Sequence, residues 1–193
     1  YYEGKIQHVA ILPFGGATLT ADLVRGLAVP YGEARRAKEH YGMAFAQLVD
    51  PRETVELPGP SPPQMRAIAR ELLAHIIEQR TDEIFGLAAE QIERSGLADR
   101  LGGGIVLTGG GAALEGIREL AESSFSGPVR IGVPGDGLIG LVESIRAPKF
   151  ATAAGLALYG ARRATMEMTE GQSGSGSPAN VIKWMRDWLN DFF

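Results

Sequence analysis

The stretch that most constrains this fold runs Gly103-Gly104-Ile105-Val106-Leu107-Thr108-Gly109-Gly110-Gly111-Ala112-Ala113-Leu114-Glu115-Gly116-Ile117. Ile105 to Thr108 is apolar without alternation and bounded by glycines, which predicts a short, fully buried strand. Leu114, Ile117, Leu120 and Ala121 then recur at helical spacing. The glycines between carry no Cβ, so backbone can come close to something bulky, and a helix N-terminus opening there favours a polar or anionic ligand. By itself the run is equally a Gly-rich turn from strand to helix. No Gly-Lys-Ser/Thr follows it and it lacks the dinucleotide spacing, so it is neither a P-loop nor a Rossmann fingerprint.

The rest of the chain alternates strand and helix patterns, which predicts the α/β class. Tyr1 to Pro13 reads as two strands, the second being His8 to Leu12, and such a hairpin needs further strands to be stable. The expectation is a chain that starts inside a sheet. Its exposed edge would leave the fragment prone to aggregation. After Gly15-Gly16, with Thr18 or Thr20 as cap, Leu19, Leu23, Val24 and Leu27 form one helical face. Gly32 to Gly42 reads as a charged helix, ordinarily a solvated face. Ala44 to Leu57 reads as strand, an Asp50-Pro51 turn, and strand, and Pro58 to Pro63 as a stiff connector. Pro63 to Ser95 gives the longest helical pattern, with the stripe Met65, Ile68, Ala69, Leu72, Leu73, Ile76, Ile77, Ile84, Phe85, Ala88 and Ile92. Arg80 stands in a gap of that stripe, where its stem can pack while its head pairs with Asp82, Glu83 or another carboxylate. Val129 to Gly132 is a strand, Leu138 to Ile145 a short helix, and Phe150 to Arg162 a small-residue helix suited to close packing on a sheet.

Several function classes are excluded on composition. The 193 residues carry a net charge of −4, unlike a general nucleic-acid binder. With no cysteine there is no disulfide, zinc-thiolate site or thiol catalysis, and three scattered histidines do not suggest a metal cluster. No apolar run approaches the roughly 20 residues that span a bilayer.

Leu107-Thr108-Gly109-Gly110-Gly111, Pro128 to Pro134 and Pro148 to Leu156 together resemble the FtsA family of actin-like bacterial cell-division proteins, over nearly the whole chain. The resemblance implies an actin/heat-shock-chaperone-like ATPase fold, here its second half: a mixed sheet with flanking helices over 1–163 and an inserted smaller lobe at about 30–100. It implies ATP held partly by Gly109, Gly110 and Gly111. Lys38 and Gly42 match the Lys-x-x-x-Gly that the family places beside the ribose and adenine, and Gly15-Gly16 resembles a loop near the nucleotide. Many members carry an acid where Arg35 stands. Phosphate and magnesium ligands are expected outside this segment, no catalytic residue is assigned, and any ATPase activity of the full-length protein would be weak. The run Ile77 to Ile84 resembles the segment receiving the C-terminal tail of FtsZ, which would assign Arg80 and Glu83 to that partner. Self-assembly into polymers and contact with other division proteins are implied too.

The end of the chain reads as a separate device. A flexible linker is expected over 164–179, Gly/Ser-rich from Glu170, followed by an amphipathic helix at 180–193. Val181, Ile182, Trp184, Met185, Trp188, Leu189, Phe192 and Phe193 share one face of it. At about 1.5 Å per residue it spans roughly 21 Å, too short to cross a bilayer core of about 30 Å but able to lie in the interface. Docking on its own domain or in a partner's groove is the other reading. FtsA proteins carry such a membrane-targeting helix, so the resemblance implies a peripheral protein on the cytoplasmic face of the inner membrane. The alternatives are an actin-like scaffold of pilus assembly and a small-molecule kinase of the same superfamily.

Overall fold

The computed structural model describes residues 5–59, 64–135 and 142–170. Helix α1 (Gly16–Leu27) buries Leu19, Leu23 and Leu27, as their spacing predicts. It starts before Thr18, whose hydroxyl accepts the Gly15 N–H at 3.3 Å, and Thr20 lies inside it, fully buried, rather than at its cap. Helix α2 (Tyr31–Tyr41) follows Pro30 and buries Ala34 and Ala37 against the core, with Arg35, Arg36 and Glu39 exposed.

His8 to Leu12 is the first departure from the expected pattern. It forms no strand, and Ile11 is 89% exposed. A strand needs a ladder partner for its N–H and C=O groups, and no described segment pairs with these residues. Ala46 to Leu48 is a 3-10 turn instead of a strand.

Strand β1 (Thr54–Pro58) pairs antiparallel with β2 (Met65–Ala69), Val55 opposite Ile68 and Leu57 opposite Arg66. Met65 to Ala69 is therefore strand where the helical stripe was expected to begin. Over five residues a period of 2 and a period of 3.6 place apolar side chains almost alike, and the cross-strand partner decides. Helix α3 (Arg70–Arg94) buries Leu73, Ala74, Ile77, Thr81 and Phe85. Its apparent gap is filled by Thr81, one position beyond Arg80, whose hydroxyl donates to the Ile77 carbonyl at 2.7 Å.

Strand β3 (Ile105–Leu107) runs parallel to β4 (Val129–Ile131), with α4 (Ile117–Phe125) as the crossover. The strand is not fully buried: Val106 is 45% exposed, since only one neighbour flanks β3 among the described residues. Leu120 and Ala121 of α4 are buried, and Phe125 meets Phe85 of α3 with ring centroids 5.3 Å apart. One apolar cluster thus joins α1, α2, the β1–β2 hairpin, α3, α4 and β4.

A short helix α5 (Val142–Ile145) precedes α6 (Ala151–Glu170). Helix α6 outruns its expected end at Arg162 by eight residues, through the expected start of the linker, because Ala161 to Glu170 holds no glycine or proline to stop it. Of its small residues only Ala154 is buried, while Ala153, Gly155 and Ala157 are exposed, so the expected packing on a sheet is not made among the described residues. Residues 171–193, with all eight apolar positions of the terminal pattern, lie outside the described residues, as do 136–141. No described helix is long and apolar enough to cross a membrane.

Candidate functional site

The glycine run turns more sharply than a strand-to-helix junction. Gly109 has φ +92°, a conformation open to glycine and rarely to L side chains. Gly110 to Ala113 then make one 3-10 turn, Leu114 is extended, and α4 begins only at Ile117. The helix N-terminus therefore does not open onto the three glycines as expected; Gly116, at φ +74°, separates the two.

Gly110 and Gly111 are exposed, their backbone is unstrained, and a Cβ on either would meet nothing within 4 Å. Among the described residues, neither packing nor backbone geometry asks for glycine there. The backbone they expose is open among the described residues.

Thr108 ties this turn to the two other segments that carry the family resemblance. Its hydroxyl donates to the Gly132 carbonyl at 2.8 Å, and the Gly109 N–H donates to the Pro148 carbonyl at 3.0 Å. Gly132 N–H in turn donates to Leu107 at 2.7 Å. Three stretches far apart in sequence meet at one residue.

The end of α2 approaches from the other side. The Ala44 N–H donates to the Glu115 carbonyl at 2.7 Å, Met43 bridges Glu115, and a Cβ on Gly42 would stand 3.1 Å from Leu114. One turn earlier the Lys38 ammonium donates to the Gly16 carbonyl at 2.7 Å and to the Thr20 hydroxyl at 2.8 Å. Burial pushes its pKa below the usual lysine range. Two of its three N–H groups are spent on these bonds, and the third is left to a further acceptor. Helix α2 thus links the N-terminus of α1 to the glycine turn, with Lys38 and Gly42 one turn apart along it.

Arg70, at the start of α3, clasps this arrangement, and nothing local in the sequence marks it. Its Nε donates to the Tyr41 carbonyl at 3.0 Å, Nη1 to Glu53 at 2.6 Å and Nη2 to Glu115 at 3.1 Å. One guanidinium joins the end of α2, the start of β1 and the chain after the glycine turn. Hydrogen bonds to Glu53 raise its pKa first, with Glu115 adding to the effect. Arg70→Ala is expected to cost about 1–2 kcal/mol in a urea melt, the range for charged hydrogen bonds at a partly exposed site. Arg70→Lys should recover little of it, because one ammonium cannot reach three acceptors held in a planar fork.

Arg80 and Glu83 lie apart from this site, on α3. Arg80 Nε and Nη2 donate to the two carboxylate oxygens of Asp22 on α1, at 2.6 and 3.3 Å, and Nη1 to Glu83 at 2.5 Å. The carboxylate expected among Asp82, Glu83 or others is chiefly Asp22, 58 positions away; Asp82 instead accepts from Ser124. No group of His, Cys, Asp and Glu suited to a metal occurs among the described residues.

Comparison with known proteins adds to this geometry. A family model described as cell division protein FtsA matches residues 1–155. Over 200 residues the chain is 37% identical to the cell division protein FtsA of Pseudomonas aeruginosa, covering 100% of this chain and 47% of the relative. The FtsA proteins of Neisseria meningitidis serogroup B (37% over 198 residues, covering 100% of this chain and 47% of the relative) and Escherichia coli K12 (32% over 203 residues, 100% and 48%) are similar. The chain spans about half the length of these relatives. A crystal structure of MreB 5 of Spiroplasma citri bound to AMPPNP superposes with a TM-score of 0.61 at 17% identity, covering 81% of this chain and 46% of that one. The fold is accordingly actin-like.

Proposed function

The chain belongs to the FtsA family of cell-division proteins, and from that premise we propose that it binds ATP at the Gly109–Gly111 turn, self-assembles as an actin-like polymer, and holds FtsZ at the cytoplasmic face of the inner membrane. The observation that supports the ATP site is the open backbone at Gly110 and Gly111, where glycine has no role in packing among the described residues, together with the partly unspent Lys38 on α2. A nucleoside would lie on the glycine backbone, and Lys38 would donate to it from α2. When bound, ATP supplies a cleavable terminal phosphate, whose ligands and those of magnesium are sought outside this segment. Arg80 and Glu83 would face the tail of FtsZ, and residues 180–193 would lie in the lipid interface.

Titration of the full-length protein with a fluorescent ATP analogue tests the site. Gly111→Val should weaken binding at least about ten-fold, since a branched side chain intrudes on a surface the ligand must touch. The melting temperature should change little, because Gly111 is exposed and a Cβ there meets no described atom within 4 Å. Equal affinity in the two proteins would place the nucleotide elsewhere.

A further inference from the structure

The side of the Arg80 fork best suited to a carboxylate is already taken. Nε and Nη2 form the edge that grips a carboxylate through two parallel bonds, and both Asp22 oxygens sit on it at 2.6 and 3.3 Å. The Asp22 side chain is 16% exposed and that of Arg80 26% exposed. Glu83 takes Nη1 but is 54% exposed, so it can swing away at little cost. An acidic peptide arriving at this arginine therefore finds the Nε/Nη2 edge taken, and displacing Glu83 would open only the Nη1/Nη2 end.

We propose that Asp22 is an internal competitor at the partner site: the acidic segment of a partner binds Arg80 by exchanging with the Asp22 carboxylate, and Asp22 thereby sets the affinity. This rests on the reading of Arg80 as a partner contact. The opposite role, in which Asp22 holds Arg80 in place for the partner, would use the same ion pair but reverses the expected sign. Occupation of the bidentate edge favours competition. A peptide carboxylate gains that side-on pair of bonds only by taking the place of Asp22.

The test is the affinity of the full-length protein for a fluorescent peptide of the FtsZ C-terminal tail. Asp22→Asn should tighten binding about three-fold, the scale of a partly exposed ion pair released from competition. Glu90→Gln removes the same charge farther along α3, outside the Ile77–Ile84 run, from a side chain bonded to Arg94 and not to Arg80, and should leave affinity unchanged. Equal tightening by both would reduce the effect to general charge and overturn the proposal, as would weaker or unchanged binding by Asp22→Asn. Arg80→Ala should weaken the peptide and cancel the gain from Asp22→Asn. If Arg80→Ala leaves binding unchanged, the partner reading of Arg80 itself fails, and the exchange with it. A measurement on the unsubstituted protein guards against a misfolded variant: the Arg80 Nε–H resonance should shift at saturating peptide, and a resonance that stays in place overturns the exchange.

Discussion

Gly116→Ala is expected to destabilise the protein by about 2–5 kcal/mol, the sum of a left-handed backbone forced on an L residue and of overpacking. The residue is buried at φ +74°, and a Cβ there would stand 2.7 Å from the Met43 sulfur and 3.0 Å from the Phe45 backbone nitrogen. Met43 is itself 3% exposed and bridged to Glu115, so neither neighbour can move without opening the contact between the end of α2 and the chain after the glycine turn. A urea titration should show a lower midpoint at the same slope. Gly110→Ala is the matched control: its Cβ meets nothing within 4 Å, and its expected effect on stability is within about 0.5 kcal/mol. A loss below about 1 kcal/mol for Gly116→Ala would mean that Met43 and Phe45 do not close over this glycine, and the account of how α2 reaches the turn would fall.

Cutting the chain after Ala179 is expected to abolish flotation with lipid vesicles. Val181, Ile182, Trp184, Met185, Trp188, Leu189, Phe192 and Phe193 share one helical face in the sequence, and tryptophan favours the lipid interface. Lys183 and Arg186 are offset by Asp187 and Asp191, so attraction to anionic lipid is weak and apolar insertion must supply the binding. Each large side chain contributes at most about 1.5–3 kcal/mol when fully buried. Insertion would be partial and ordering a helix would cost much of the gain, so one copy would bind reversibly. Copies joined in a polymer would bind firmly through their effective concentration, which gives self-assembly a physical purpose at a membrane. Replacing Trp184 and Trp188 together by alanine should reproduce the effect of the cut. Flotation of the cut protein would move the lipid contact into residues 1–179, and the terminal pattern would become a docking helix.

Much of the chain was legible in local pattern. The face of α1, the existence of α2, strand β1, the body of α3 and the strand before the glycine run all follow from spacing and punctuation within a dozen residues. The motifs around Thr108 pointed to the family, which the comparisons bear out. Met65 to Ala69 carries a helical pattern yet forms a strand, because five residues do not separate the two periods and pairing with β1 settles it. Helix α6 was expected to pack on a sheet because it is small-residued, yet small side chains permit close packing without supplying a neighbour.

What the sequence determined by itself is therefore most of the helices and the amphipathic pattern at the end of the chain, since each depends on residues within a turn or two of one another, and the family, since each of its motifs is contiguous. The tertiary structure decided who meets whom: Lys38 with Gly16 and Thr20, Arg70 with Tyr41, Glu53 and Glu115, Arg80 with Asp22. A lysine or arginine carries the same donors wherever it stands. Its partner is set by which carbonyl or carboxylate the packed helices bring within about 3 Å, and that distance depends on the whole core at once.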